Sequence, residues 1–212
     1  MKMTNVVSYM FGVLVCGAAL FSSAQAATEN LRLTVNANIL LGTCKTTILV
    51  DGNSSATVVN FNNSSAVVYT TDVKNKTVSK EFSLLFSDCA GIGMGTGEGT
   101  SGPRPMKVTF TKRGETKCEN NDSGSAFANM LTTNKANAVV VEIQQNDAVS
   151  YPAKKILKCN SPEEISVNVV NDPTINTEYK LKATLRTDSG SQDSDLTAGL
   201  FKAQGVFEIE YQ

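Results

Sequence analysis

Apolar and polar side chains alternate without a break from residue 31 to residue 39. Leu31, Leu33, Val35, Ala37 and Ile39 fall on one side, and Arg32, Thr34, Asn36 and Asn38 on the other. A period of two predicts a β-strand with one buried face. The same pattern returns at 179–185, where Tyr179, Leu181, Ala183 and Leu185 share a face opposite Lys180, Lys182 and Thr184. It returns again at the end of the chain, where Phe207, Ile209 and Tyr211 alternate with Glu208, Glu210 and Gln212, after a break expected near Gln204 and Gly205.

Between these, shorter β-prone runs are separated by turn residues. Strands are expected at 45–50, 56–61, 81–89, 106–110, 138–143 and 165–169. Asp51-Gly52-Asn53, Asn146-Asp147 and Asn171-Asp172-Pro173 are turn signals. Past the N-terminal segment no stretch carries a sustained helical period. Many short strands joined by turns predict an all-β, antiparallel β-sandwich.

Residues 1–26 are set apart by composition. Lys2 precedes a mostly apolar run over 6–21, and Ser22-Ser23-Ala24-Gln25-Ala26 closes it with a small-x-small pattern. This predicts a secretory signal peptide cleaved after Ala26. The apolar run is shorter than the ~20 residues a membrane span needs. The expected layout is a signal at 1–26, an N-terminal extension at 27–40 and one domain over 41–212. The strand at 31–39 then lies close to a mature terminus, where chains fray unless held.

Composition narrows the chemistry. The chain has no His and no Trp, which removes the commonest general base and the commonest metal ligand. No cofactor is expected. No nucleophile elbow stands in a strand-to-helix context. The acid pairs Glu163-Glu164 and Asp193/Asp195 fall in polar, loop-like stretches, where solvated carboxylates keep ordinary pKa values. An enzyme is therefore not expected. Without Lys2 the chain keeps 18 basic against 20 acidic side chains, a net charge of −2, which disfavours nucleic acid.

Beyond Cys16 in the signal there are four cysteines, Cys44, Cys89, Cys118 and Cys159. An even count in an exported chain predicts disulfides. Four cysteines allow three pairings, and sequence alone does not choose. The sequential pairing, 44 with 89 and 118 with 159, closes two loops of moderate length, each worth roughly 4 kcal/mol. Spacings of two to four, which a zinc site uses, are missing. The Gly-x-Gly repeats of 91–105 are followed by prolines and a β-run, so they are read as an interstrand loop and not a phosphate cradle. The basic run 154–158 is read as a solvated, Lys-guarded edge. The polar segment 115–125 is read as an elaborated loop, with a receptor-facing surface as the alternative.

Taken together, the sequence resembles the structural subunits of chaperone–usher fimbriae of the type 1 and P-pilus kind. The resemblance spans the chain beyond the signal. It is carried by the signal segment, the alternating strand just before Cys44, Cys89 at the end of a second strand, the 179–185 strand, Gly199 fourteenth from the end, and the penultimate Tyr211. It implies an incomplete immunoglobulin-like sandwich completed by a donor strand from a periplasmic chaperone or another subunit. Leu31, Leu33, Val35, Ala37 and Ile39 would be the donor residues. Tyr179, Leu181, Ala183, Leu185, Gly199, Phe207, Ile209, Tyr211 and Gln212 would border the groove and dock the chaperone. The implied partners are that chaperone, an outer-membrane usher, other subunits and, through the assembled fimbria, a host receptor. The implied location is a fimbria on the cell surface, reached through the periplasm. Many family members have Gly where this chain has Ala37. The second cysteine pair and the Gly-rich segment are additions that point to a minor or specialised subunit. The competing expectation is a self-contained secreted β-sandwich that binds a carbohydrate or protein, with strand 31–39 paired at home.

Overall fold

The computed structural model describes residues 32–39, 44–54, 57–62, 68–89, 103–146 and 155–211. The signal segment, Leu31, the Gly-rich stretch 91–102 and Gln212 lie outside them. Among the described residues ten strands follow in order: β1 (Arg32–Ile39), β2 (Lys45–Val50), β3 (Val58–Asn60), β4 (Ser79–Ser87), β5 (Pro103–Lys112), β6 (Phe127–Ala128), β7 (Val139–Gln145), β8 (Ile165–Val170), β9 (Thr177–Thr187) and β10 (Lys202–Tyr211). They form two five-stranded sheets, ordered β3-β1-β10-β5-β8 and β2-β4-β9-β7-β6. This is the expected all-β, immunoglobulin-like sandwich. Three short helical pieces, α1 (Thr70–Lys74), α2 (Glu119–Asp122) and a 3-10 turn (Asp193–Asp195), lie outside the sheets.

Period-two patterning decides which side chains form the core. In β9, Tyr179, Leu181, Ala183 and Leu185 point inward and are buried. In β4 it is Phe82, Leu84 and Phe86, and in β5 Met106, Val108 and Phe110. Aromatic rings join the layers: Phe207 of β10 lies 4.4 Å from Phe110 and 6.4 Å from Phe82, centroid to centroid. Phe110 also meets Phe127 edge-on at 5.0 Å. Such tilted pairs add to the burial of the rings. Cys44 is bonded to Cys89 and Cys118 to Cys159, the sequential pairing.

Most strands shift by a residue or two from the expected bounds, and two differences fall at residues that usually interrupt a strand. β5 begins at Pro103, with Pro103 opposite Val170 and Pro105 opposite Asn168 on β8. Among the described residues β10 pairs with β5 from Lys112 to Met106 and not at the prolines, which fits residues that cannot donate to a ladder. β10 runs straight through Gln204 and Gly205. The glycine there does not break the strand. A Cβ at that position would come within 2.1 Å of the Phe110 ring, so the residue makes room for the core aromatic.

The largest difference concerns β1. The expected incomplete sandwich, open for a strand from elsewhere, is here filled by the chain's own N-terminal strand. β1 lies between β3 and β10 and runs parallel to β10, with Arg32 opposite Lys202 and Ile39 opposite Ile209. Every other pairing of named strands is antiparallel. The physical reason is plain: a slot between two sheet edges, floored with apolar side chains, is costly to leave open.

Candidate functional site: the strand slot

The slot has two walls of backbone and a floor of side chains. One wall is β10, which pairs with β1 at eight positions. The other is short. Arg32, Leu33 and Thr34 pair with Asn60, Val59 and Val58 of β3, and Val35 N–H donates to Thr57 O at 2.9 Å. Leu33 and Val35 enter the core and are wholly buried, while Thr34 between them is half-buried. Val59, Ala203 and Phe207 are buried on the neighbouring strands. Burying two side chains of this size is worth roughly 3 to 6 kcal/mol before ordering costs. Leu31 and Gln212 lie outside the described residues. Ala37 and Ile39 are placed by backbone register alone, opposite Phe207 and Ile209.

The residues expected to border the groove divide into three groups. Phe207 and Ile209 are on the wall itself, and Tyr211 stands opposite Met106 at the far end of β10. Tyr179, Leu181, Ala183 and Leu185 are not on either wall. They belong to the middle of the opposite sheet, between β4 and β7. Their alternation identified a core face correctly but could not say which sheet owns it. Gly199 sits in the approach to β10, packed on the backbone of Lys135 and Ala136, where a Cβ would come within 2.4 Å. Leu200 N–H donates to Asn134 O at 2.7 Å, and Ala136 N–H to Leu200 O at 2.8 Å. The glycine therefore fixes where β10 starts. Gly205, directly opposite Val35, is a slot residue that sequence reasoning missed.

The second disulfide does a different job. The outer edge of β7 is covered by two pieces. Phe127 and Ala128 pair with Val141 and Val140. Beyond them Leu157 N–H donates to Ile143 O at 2.8 Å, and Gln145 N–H donates to Lys155 O at 2.9 Å. Cys118–Cys159 bolts the two pieces together, helped by Cys159 N–H donating to Ser125 O at 2.8 Å. An exposed β7 edge would invite pairing with another chain. Replacing both Cys118 and Cys159 with Ala should lower stability by roughly 4 kcal/mol, and it should raise light scattering at concentrations where the parent stays clear. Unchanged melting and scattering would show that the bolt has neither role.

The polar segment 115–125 forms part of this cover. Asn120 and Asn121 take left-handed φ of 48° and 54°, and the turn they make sends the Glu119 side chain inward. Glu119 Oε1 accepts from Ser125 N and Ala126 N, both at 3.0 Å, and Oε2 from Ser189 N at 3.2 Å. Arg186 of β9 grips the same carboxylate with two N–H groups, at 2.7 and 2.8 Å, and donates Nε–H to Glu142 at 2.9 Å. Burial works against the Glu119 charge, but the Arg186 hydrogen bonds, the backbone N–H groups of Ala126 and Ser189 and the Arg186 charge outweigh it. They bring the carboxyl down to about 2.

Elsewhere several charges are paired at the surface. Glu163 takes both Lys155 and Lys158, at 3.2 and 2.6 Å, and Glu164 takes Lys107 at 2.9 Å. Hydrogen bonds from Lys158 and Lys155 hold the Glu163 carboxyl below its usual range. The described lysines of the basic run 154–158 are thus both paired within their own chain. Asp195 accepts from the N–H of Gln192, and Asp193 pairs with Lys74 at 3.2 Å. These are turn and surface contacts.

The fold is thus an all-β sandwich in which one extended strand lies between β3 and β10. Comparison with known proteins makes the class specific. No family model matches the chain. Among curated proteins, the uncharacterized fimbrial-like protein YadL of Escherichia coli (strain K12) is 30% identical over 200 residues, covering 93% of this chain and 92% of YadL. The chain belongs to that fimbrial-like family. Solved structures similar to it include the P pilus rod subunit PapA, at 14% identity and a TM-score of 0.46 over 80% of this chain and 99% of PapA. A subunit in a chaperone–usher pilus structure concerned with rod uncoiling matches at 13% identity and a TM-score of 0.49, over 99% of this chain and all of that one.

Proposed function

We propose that this chain, a structural fimbrial subunit, joins its neighbours by giving its N-terminal strand to another subunit's slot and accepting a strand in its own. The observation that carries this reading is the slot between β3 and β10, which holds one alternating strand, the first of the described chain. β1 stands first in the domain and is joined to it in sequence through residues 40–43. Main-chain bonds along the walls supply general affinity, and the buried alternate side chains supply fit, as in other β-additions. A periplasmic chaperone would cover the slot until a subunit strand replaces it, and an outer-membrane usher would receive the complex. The fimbria would then stand on the cell surface and serve adhesion. The paired loop pieces over β7 support the same reading, since they remove one competing edge for strand addition.

The test is assembly of chaperone-bound subunits in vitro, read by gel shift. A chain lacking residues 27–37 should still form the chaperone complex, because β3 and β10 remain. It should accept a neighbour's strand and fail to enter a neighbour's slot. Normal polymerisation of the truncated chain would overturn the reading.

A further inference from the structure

Among the described residues the two sheets end in four edge strands, β3, β8, β2 and β6. β3 has three residues and β6 two, too short to template another chain. On β2, Val50 N–H donates to Asn53 O at 3.2 Å, on the side away from β4. Alternate residues share that direction, so Ile48 also turns its main chain outward, and both residues are buried. β8 is different. Its six residues, Ile-Ser-Val-Asn-Val-Val, include no charge and no proline.

Hydrogen-bond parity locates the open part of β8. Arg113 N–H donates to Gln204 O at 3.0 Å. Counting back in twos from Arg113, the main chains of Thr111, Thr109 and Lys107 face β10. Those of Val108 and Met106 therefore face β8, opposite Ile165 and Val167. Ser166, Asn168 and Val170 then point away from the sheet, as does Glu164. Val170 N–H is taken by Thr177 Oγ1 at 3.2 Å, and Glu164 O accepts from Lys155 Nζ at 3.3 Å. Each end of the edge is thus occupied. Between the ends Ser166 and Asn168 are exposed, and among the described residues their outward N–H and C=O groups have no partner.

We propose that this edge is a site of lateral pairing, where β8 of one subunit joins β8 of a second copy, antiparallel, about a two-fold axis at Val167. In that register Ser166 lies opposite the partner's Asn168, and Asn168 opposite the partner's Ser166. Four main-chain bonds then satisfy every open group on both edges. Like charges do not meet, because Glu163 and Glu164 fall opposite the partner's Asn171 and the partner's Val170. β5 and β10 separate β8 from the slot, so the edge stays open whichever strand the slot holds. The proposal rests on the fimbrial reading above and adds a contact between fimbriae. Six residues a side are few against the roughly 20 to 30 of a standard interface, so free subunits meet only briefly. Along two fimbriae the contact repeats, and each pair raises the effective concentration of the next.

The test uses fimbriae grown from the full chain, spun at low speed and viewed by negative stain. Parent fimbriae should lie side by side and pellet. Asn168→Pro should give single fimbriae that lose the pellet, with an unchanged assembly ladder by gel shift. The N–H it removes faces away from β5, so the ladder within the sheet is kept. Covalent capture reads the register without that variant. S166C and N168C fimbriae, made separately and mixed under mild oxidant, should give cross-linked subunit pairs. Either variant alone should not, since like residues would lie about 8 Å apart, beyond disulfide reach.

Parent fimbriae that stay single, N168P fimbriae that pellet like the parent, or cross-links formed as readily by one variant alone would each overturn the proposal. Failure of the strand-exchange reading looks different: no ladder and no fimbria would form. The edge is then read by mixing S166C and N168C monomers at high concentration, where capture of brief encounters supports the pairing and absence of capture overturns it.

Discussion

Replacing Arg186 with Met should cost about 3 to 5 kcal/mol at neutral pH, because it leaves Glu119 charged and buried without its cation. Arg186 and Glu119 are both almost fully buried, and their two parallel N–H to oxygen bonds are of the strong, charge-assisted kind. The loss should depend on pH in a defined way. In the parent the Glu119 carboxyl sits at about 2, well below its ordinary value of 4.5. A group depressed in the folded state contributes stability that is fully present above its unfolded pKa and is lost as pH falls through its folded pKa. The contribution is thus complete above about pH 5 and disappears between about pH 4.5 and pH 2. Arg186→Met removes the main cause of the depression, so the gap in denaturant midpoint between parent and variant should be wide at pH 7 and narrower at pH 3. Equal midpoints at pH 7, or a gap that persists unchanged at pH 3, would show that the pair does not hold the cover in place.

That ion pair was invisible in the sequence, and the reason is general. Glu119 and Arg186 are 67 positions apart, and neither lies in a pattern that a local rule detects. What local rules detect is the period of a strand and the residues that end it. Lys45–Val50 emerges with the boundaries expected, closed by Asp51 and Gly52, and Thr177–Thr187 contains the whole alternating run. The same rules misjudged Pro103 and Gly205, residues whose usual meaning is interruption. In each case a three-dimensional circumstance decides: the pairing with β8 at Pro103, and the Phe110 ring over Gly205. Periodicity also assigned Tyr179, Leu181, Ala183 and Leu185 to a buried face without revealing that the face belongs to the sheet opposite the slot. For β1 the limit is sharper still. Alternation says which face Leu33 and Val35 present, but nothing in it says whose slot receives them.

Val35→Asp and Thr34→Asp should behave as opposites, although they sit side by side on β1. Val35 is fully buried opposite Gly205, whereas Thr34 is half-exposed on the other face. An unpaired carboxylate at position 35 would have to be buried without a cation, at a cost well above that of losing the side chain's own apolar burial. The folded chain has a cheaper response available: β1 can leave the slot. Its departure forfeits the burial of Leu33 and Val35, roughly 3 to 6 kcal/mol, and that sets a ceiling on the penalty. The predicted result is therefore not global unfolding but selective release. In Val35→Asp the amides of β1 should exchange freely and a hydrophobic dye should bind the uncovered slot, while the amides of β4, β7 and β9 stay protected. Such a chain should also fail to enter a neighbour's slot, since the same carboxylate would be buried there. In Thr34→Asp the change should fall within about 0.5 kcal/mol, as for other surface substitutions, with β1 still protected. Equal effects at the two positions would mean that β1 is not seated by its apolar face. Loss of protection throughout both sheets in Val35→Asp would mean that the sandwich cannot stand without its N-terminal strand, so that a free slot could exist only while another protein fills it.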